Sequence, residues 1–210
     1  YHGAAPWCTP GLSGVAASDR QNQVTYHYND VQSLRTAVEQ AGDDLAAIIV
    51  SPFKHDVFVD QEWPTDEFAQ AARQLCDAKD PALILDDVRC AFRFTMGSTW
   101  ETVGVLPDLC AMSKSVANGY SLAVITGNNK FREGASQIYT TGSFRFASVS
   151  FAASLATIAS IEEEGAIEAM KIAGDTQRNV LDEQAATHGI ALPQTGPTQM
   201  PLVLVEEDDM

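Results

Sequence analysis

The chain has 210 residues, 45% of them hydrophobic, enough for one packed domain or one and a fraction. Its 28 acidic and 13 basic residues leave a net charge of −15, which argues against a nucleic-acid-binding surface and against a basic membrane-binding patch. The four cysteines and four histidines show neither C-x-x-C nor H-E-x-x-H spacing; with no secretory leader and no apolar run of membrane-spanning length, the expectation is a cytoplasmic protein with reduced thiols and no metal site. In chain order, residues 1–28 are rich in Gly, Pro, Ser and aromatics and read as loop. Asp30 can cap a helix from Val31 to about Gln40, with Val31, Leu34 and Val38 on one face. "LAAIIV" (45–50) is a continuous apolar run, the pattern of a strand buried on both faces. A long loop over 51–64 leads to Thr65, which caps a predicted helix to about Lys79 with Asp66 and Glu67 in its first turn. "ALILDD" (82–87), "LCAM" (109–112) and "SLAVITG" (121–127) predict three more strands. Helices are predicted over 131–138, 148–163 and 166–187, and "PLVLVEE" (201–207) closes with a strand. The chain opens without Met and stops just after a strand-like run, so both ends are expected to lie inside a longer polypeptide.

Strands alternating with helices, and strands apolar throughout, predict an α/β fold with a mainly parallel sheet. In such sheets ligands gather at the carboxyl ends of the strands. Asp86 and Asp87 end one predicted strand and Lys114 lies just beyond another, which puts acid and amine at one rim. Each has an ordinary reading, as hydrated acids at a strand end and a solvated loop lysine. Against the second, Lys114 is flanked by Ala111, Met112, Ser113, Ser115, Val116 and Ala117, all small or apolar. An amine kept from water is more often neutral and attacks carbonyl carbons. An acid at such a rim needs a cationic partner, and no second ligand cluster supports a metal. A lysine for a Schiff base plus an acid for a pyridinium nitrogen is the pattern of a pyridoxal phosphate site.

Four ordered segments make the pattern specific. "LILDDVRCAFR" followed by "PDLCAMSKSVANG" resembles the signature of class III, fold-type I pyridoxal phosphate aminotransferases, with Asp86 and Lys114 28 positions apart. "YHG" at the start resembles that family's Tyr-His-Gly, and "TGSFRFASVSFAASLATI" resembles its Gly-Thr-Phe-Ser-Gly-Asn-Pro segment before an Ala-rich helix. The resemblance runs over essentially the whole chain and points toward the glutamate-1-semialdehyde aminomutase branch. It implies that Lys114 anchors pyridoxal 5'-phosphate as a Schiff base and then shuttles protons. It further implies that Asp86 pairs with the ring nitrogen, Val88 and Tyr1 pack on the two ring faces, and Ser143 supplies a hydroxyl to the cofactor phosphate of a neighbouring subunit. Several positions depart from the family pattern. Asp87 stands for Glu, Ala91 for Gly, Ser51 for the Glu before Pro52, and 145–148 replace Ser-Gly-Asn-Pro. These bear on substrate more than on cofactor. Arg145 has two open readings, a receiver of a substrate carboxylate across a dimer interface and a surface arginine.

The fold implied is part of a fold-type I large domain over 1–160, then a connecting helix and the start of a small α/β C-terminal domain over 161–210. The phosphate-cradling loop of the family would precede Tyr1. The expected activity is transfer of an amino group, as aminotransferase or aminomutase, between a small-molecule amino donor and a keto or aldehyde acceptor, in a homodimer with no nucleic-acid or membrane partner. The competing readings are a catalytically inactive fragment or pseudoenzyme serving as a dimerisation or binding module, and a decarboxylase or racemase that uses the same lysine and aspartate.

Overall fold

The computed structural model describes residues 14–55 and 59–204. Its first helix, α1 (Val31–Ala41), starts where Asp30 accepts a hydrogen bond from the Ser33 amide at 2.8 Å, and it buries Leu34, Ala37 and Val38. The second, α2 (Asp66–Lys79), starts where the Thr65 hydroxyl accepts from the Phe68 amide at 3.2 Å. Both caps satisfy amides that the first helical turn leaves unpaired. Phe68, Ala69, Ala72 and Cys76 of α2 pack onto the sheet side of the core.

The strands β1 (Ala47–Val50), β2 (Ala82–Asp86), β3 (Leu109–Met112) and β4 (Val124–Gly127) form one sheet in that order. The first three are parallel: Val50 pairs with Leu85 and Asp86 with Ala111. Helix α2 makes the crossover from β1 to β2. The fourth strand is antiparallel, with Met112 opposite Val124. The connection over 113–123 holds only a 3-10 turn, too little chain for a helical crossover, so it folds back. The sheet is thus mainly parallel, and the strand expected over 121–127 is shorter than its apolar run.

Val50, Leu83, Leu85, Phe68, Leu34 and Trp100 fill the core, and the Trp100 indole donates to the Pro52 carbonyl at 3.0 Å. At the amino end of β3, buried Asp108 accepts from the Leu83 amide at 2.8 Å, Arg73 at 2.9 Å and Asn128 at 2.7 Å. One carboxylate so ties β2, α2 and the end of β4 together, opposite the rim that carries Asp86. Burial alone would raise its pKa, but the Leu83 amide and Arg73 outweigh that and hold it below the usual carboxylate value.

Beyond the sheet come α3 (Arg132–Gln137), α4 (Ser148–Glu163) and α5 (Ala166–His188). The last pair are in contact and join at Gly165, whose φ of 63° makes the turn between them. A small antiparallel pair, β5 (Gln194–Thr195) and β6 (Leu202–Val203), follows. The strand expected over 201–207 is two residues long within the described part.

Candidate active site

Parallel pairing of β2 with β3 brings Asp86 and Lys114 to the same rim: Asp86 pairs with Ala111, three positions before the lysine. Asp86 is half-buried, and its Oδ1 accepts the Val88 amide at 3.1 Å, which orients the carboxylate. Val88 itself is half-buried two residues past the strand end. Lys114 opens a 3-10 turn, Lys114–Val116, with a φ of 48°. This left-handed conformation costs a non-glycine residue about 1–3 kcal/mol and persists only where surroundings enforce it. Two serines supply that enforcement. The Ser113 hydroxyl donates to the Leu122 carbonyl and the Ser115 hydroxyl to the Ala91 carbonyl, each at 2.7 Å. Val116 and Ala117 are buried beneath the turn.

The expectation of a confined amine needs correction within this chain. Lys114 is exposed, because its open side borders a cavity and not packed side chains. That cavity, about 290 Å³, is lined by Lys114, Arg89, Arg93, Gln61 and residues 199–202. It holds three cationic side chains and no carboxylate. The Arg93 Nε donates to the Arg89 carbonyl at 2.8 Å, which aims its guanidinium.

Asp87 is not the hydrated partner of Asp86 that an Asp-Asp strand end suggests. It is fully buried; its carboxylate accepts the Thr99 amide at 2.7 Å and the Thr99 hydroxyl at 2.6 Å, with the Cys110 thiol at 3.7 Å. Burial raises its pKa, and the Thr99 bonds oppose the rise. Neighbouring carboxylates therefore divide the work: Asp86 faces the rim and Asp87 braces the loop beneath it.

Ser143 lies in the exposed turn before α4 and makes no hydrogen bond among the described residues. It sits between exposed aromatics, Tyr139, Phe144 and Phe146. Arg145 stacks over the Phe146 ring at 4.6 Å and donates to the Thr140 carbonyl. Tyr1 lies outside the described residues. Sequence reasoning passed over the bracketing role of Ser113 and Ser115 and the pairing of Arg89 with Arg93. The signal for the first was present, since hydroxyls on both sides of one lysine are the short side chains that bond locally to backbone.

An oriented carboxylate and an amine on the carboxyl rim of parallel strands, with a valine beside the acid, form a donor set that fits a flat ring bearing a protonated nitrogen and a reactive aldehyde. Among the described residues no cluster of three His, Cys, Asp or Glu could hold a metal ion.

The fold is that of the fold-type I pyridoxal phosphate transaminases. The profile of one family, Aminotransferase class-III, matches residues 2–192, and the chain belongs to that family. It is 42% identical over 208 residues to an aminopentol aminotransferase of Sphingopyxis macrogoltabida, covering 99% of this chain and 49% of that protein. It is 30% identical over 191 residues to a glutamate-1-semialdehyde 2,1-aminomutase of Desulfatibacillum aliphaticivorans, covering 90% and 44%. In three dimensions it superposes with a TM-score of 0.92 on the pyridoxal phosphate internal aldimine form of the Sphingopyxis sp. MTA144 FumI protein, at 42% identity, covering all of this chain and 50% of that one. The chain spans about half the length of the curated relatives it matches. Pyridoxal phosphate is the cofactor of the family. The aminomutase branch expected from the motifs is among the relatives, at lower identity than the aminotransferase.

Proposed function

We propose that the complete enzyme transfers an amino group from a small amine to a carbonyl acceptor, with Lys114 as the residue that holds pyridoxal phosphate. The observation that carries this is the common rim of Asp86 and Lys114, enforced by the β2–β3 register. When bound, the cofactor supplies an aldehyde carbon to which amines condense and a ring that accepts electrons from the adjacent carbon. Asp86, oriented by the Val88 amide, would keep a proton on the ring nitrogen. Val88 would pack against one ring face and Tyr1 against the other. Lys114 Nζ, released once substrate amine takes its place, would carry the proton between the two carbons that exchange the amine; the left-handed turn at its base sets where that nitrogen starts.

The 42% identity to a protein named aminopentol aminotransferase favours an amino alcohol as donor and two-substrate transfer over internal amine migration. Arg89 and Arg93 beside Lys114, with no acid in their cavity, favour an acceptor that carries a carboxylate. Residues 1–160 would form the larger part of the cofactor domain, and 161–210 the connecting helix and the beginning of the small domain. The exposed apolar turn around Ser143 supports a homodimer in which that serine's hydroxyl reaches the cofactor phosphate of the partner, with Arg145 nearby.

Borohydride reduction of the complete enzyme, followed by digestion and mass spectrometry, tests the core of this reading. The cofactor mass is expected on the peptide containing Lys114, and Lys114→Ala is expected to bear none and to lose turnover. Label on another lysine would sink the assignment, and no label at all would favour the inactive binding module.

A further inference from the structure

The turn at Lys114 is held from two sides, and the two holds differ in what they reach. Ser113 bonds the Leu122 carbonyl, on the loop that leads into β4. Ser115 bonds the carbonyl of Ala91, which is fully buried and whose own amide donates to the Asp87 carbonyl at 2.8 Å. Asp87 is locked in turn by both donors of Thr99. The Ser115 hydroxyl therefore grips a point rigidly joined to the residue next to Asp86. The turn's internal bonds are longer: Val116 amide to Ser113 carbonyl at 3.1 Å, and Ala117 amide to Lys114 carbonyl at 3.4 Å. A left-handed lysine held only by these would relax toward ordinary backbone angles and carry its amine with it.

We propose that Ser115 is a positioning residue: its bond to the Ala91 carbonyl fixes the separation between the Lys114 amine and the Asp86 carboxylate, with Ser113 steadying the opposite side of the turn. The proposal rests on the reading of Lys114 as the cofactor-bearing lysine. Its chemistry is geometric. The lysine must reach the cofactor's aldehyde carbon and later a substrate carbon while the acid stays on the ring nitrogen, and displacements well under an ångström change the rate of such transfers.

The test uses the complete enzyme loaded with pyridoxal phosphate, as wild type, Ser115→Ala and Ser115→Thr. The readouts are the pH titration of the bound cofactor's absorbance and the separate values of kcat and KM for the amine. Ser115→Ala is expected to shift the titration midpoint by about half a unit or more, and to lower kcat about tenfold with KM changed less than about twofold. Ser115→Thr, which keeps the hydroxyl, restores both. If Ser115→Ala does not accumulate as folded protein, Ser115→Cys keeps the size with only a weak donor and carries the same expectations. An unshifted midpoint and unchanged kcat overturn the proposal and leave the lysine reading intact, and a lowered melting temperature with those two unchanged does the same by assigning Ser115 to fold stability alone. Wild-type enzyme with no cofactor on Lys114 overturns both.

Discussion

Leu85 on β2 and Leu155 on α4 are both leucines in regular elements, yet Leu85 is fully buried and Leu155 is 73% exposed. The difference extends to their surroundings. Around Leu85 the amphipathic helices α1 and α2 turn one apolar face each to the sheet and polar residues to water. Around Leu155 the segment 138–155 exposes Ile138, Tyr139, Phe144, Phe146, Val149 and Phe151, while the residues that α4 buries are Ser150 and Ser154. A helix that buries serines and turns Val149, Phe151 and Leu155 outward lacks the usual apolar-in pattern, and an apolar patch of this kind marks an interaction surface. Periodicity thus tells which residues the chain covers by itself; apolarity without periodicity tells which are to be covered by something else. Ser143 and Arg145 fall in the second region and Asp86 and Lys114 in the first, so the proposed site draws on both.

The comparison can be broken from either side. The largest effect is expected for Leu85→Ala, which should lower the folding stability of the complete enzyme by about 2–5 kcal/mol in denaturant titration. Leu155→Ala should cost about 1.5–3 kcal/mol, and this loss should appear as a weaker dimer in sedimentation at falling protein concentration; an undiminished dimer would break the assignment of that face to a second copy. Within the first region, Asp87→Ala leaves Thr99 donors buried without acceptors and should cost about 1–3 kcal/mol, whereas Asp86→Ala should leave stability nearly unchanged and remove turnover. Thr65→Ala, which removes the cap of α2, should cost about 1 kcal/mol. The pH dependence sharpens the picture of the far end of the sheet. The Asp108 carboxyl is held below its ordinary value, so its contribution is present above about pH 4 and is lost as pH falls through the lower, folded value. Asp108→Asn should flatten that part of the acid unfolding curve.

Most of the regular structure was legible residue by residue. Both caps, at Asp30 and Thr65, are local hydrogen bonds between residues three apart, so the sequence contains all their partners. The strand at 109–112 and the helix at 148–163 keep their expected limits. The short β4 and β6 were less legible, because strand length depends on the partner and the apolar runs at 121–127 and 201–207 outlast theirs. Asp87 was misjudged for a related reason: its acceptor role depends on Thr99, which only the loop after β2 brings near.

Of the proposed site, the sequence alone names the cast. Asp86, Val88 and Lys114 stand in an order and spacing that mark the family, and that much needs no coordinates. What only the tertiary structure decided is how they are held. The β2–β3 register sets Asp86 opposite Ala111, and the Ser115 hydroxyl reaches 24 positions back to Ala91. The cavity at Lys114 joins Arg89 and Arg93, from the middle of the chain, to residues 199–202 near its end. The physical reason is reach. Capping and periodicity act within one or two turns and can be read along the chain, while register, bracing and cavity walls join residues that become neighbours only after the sheet has formed.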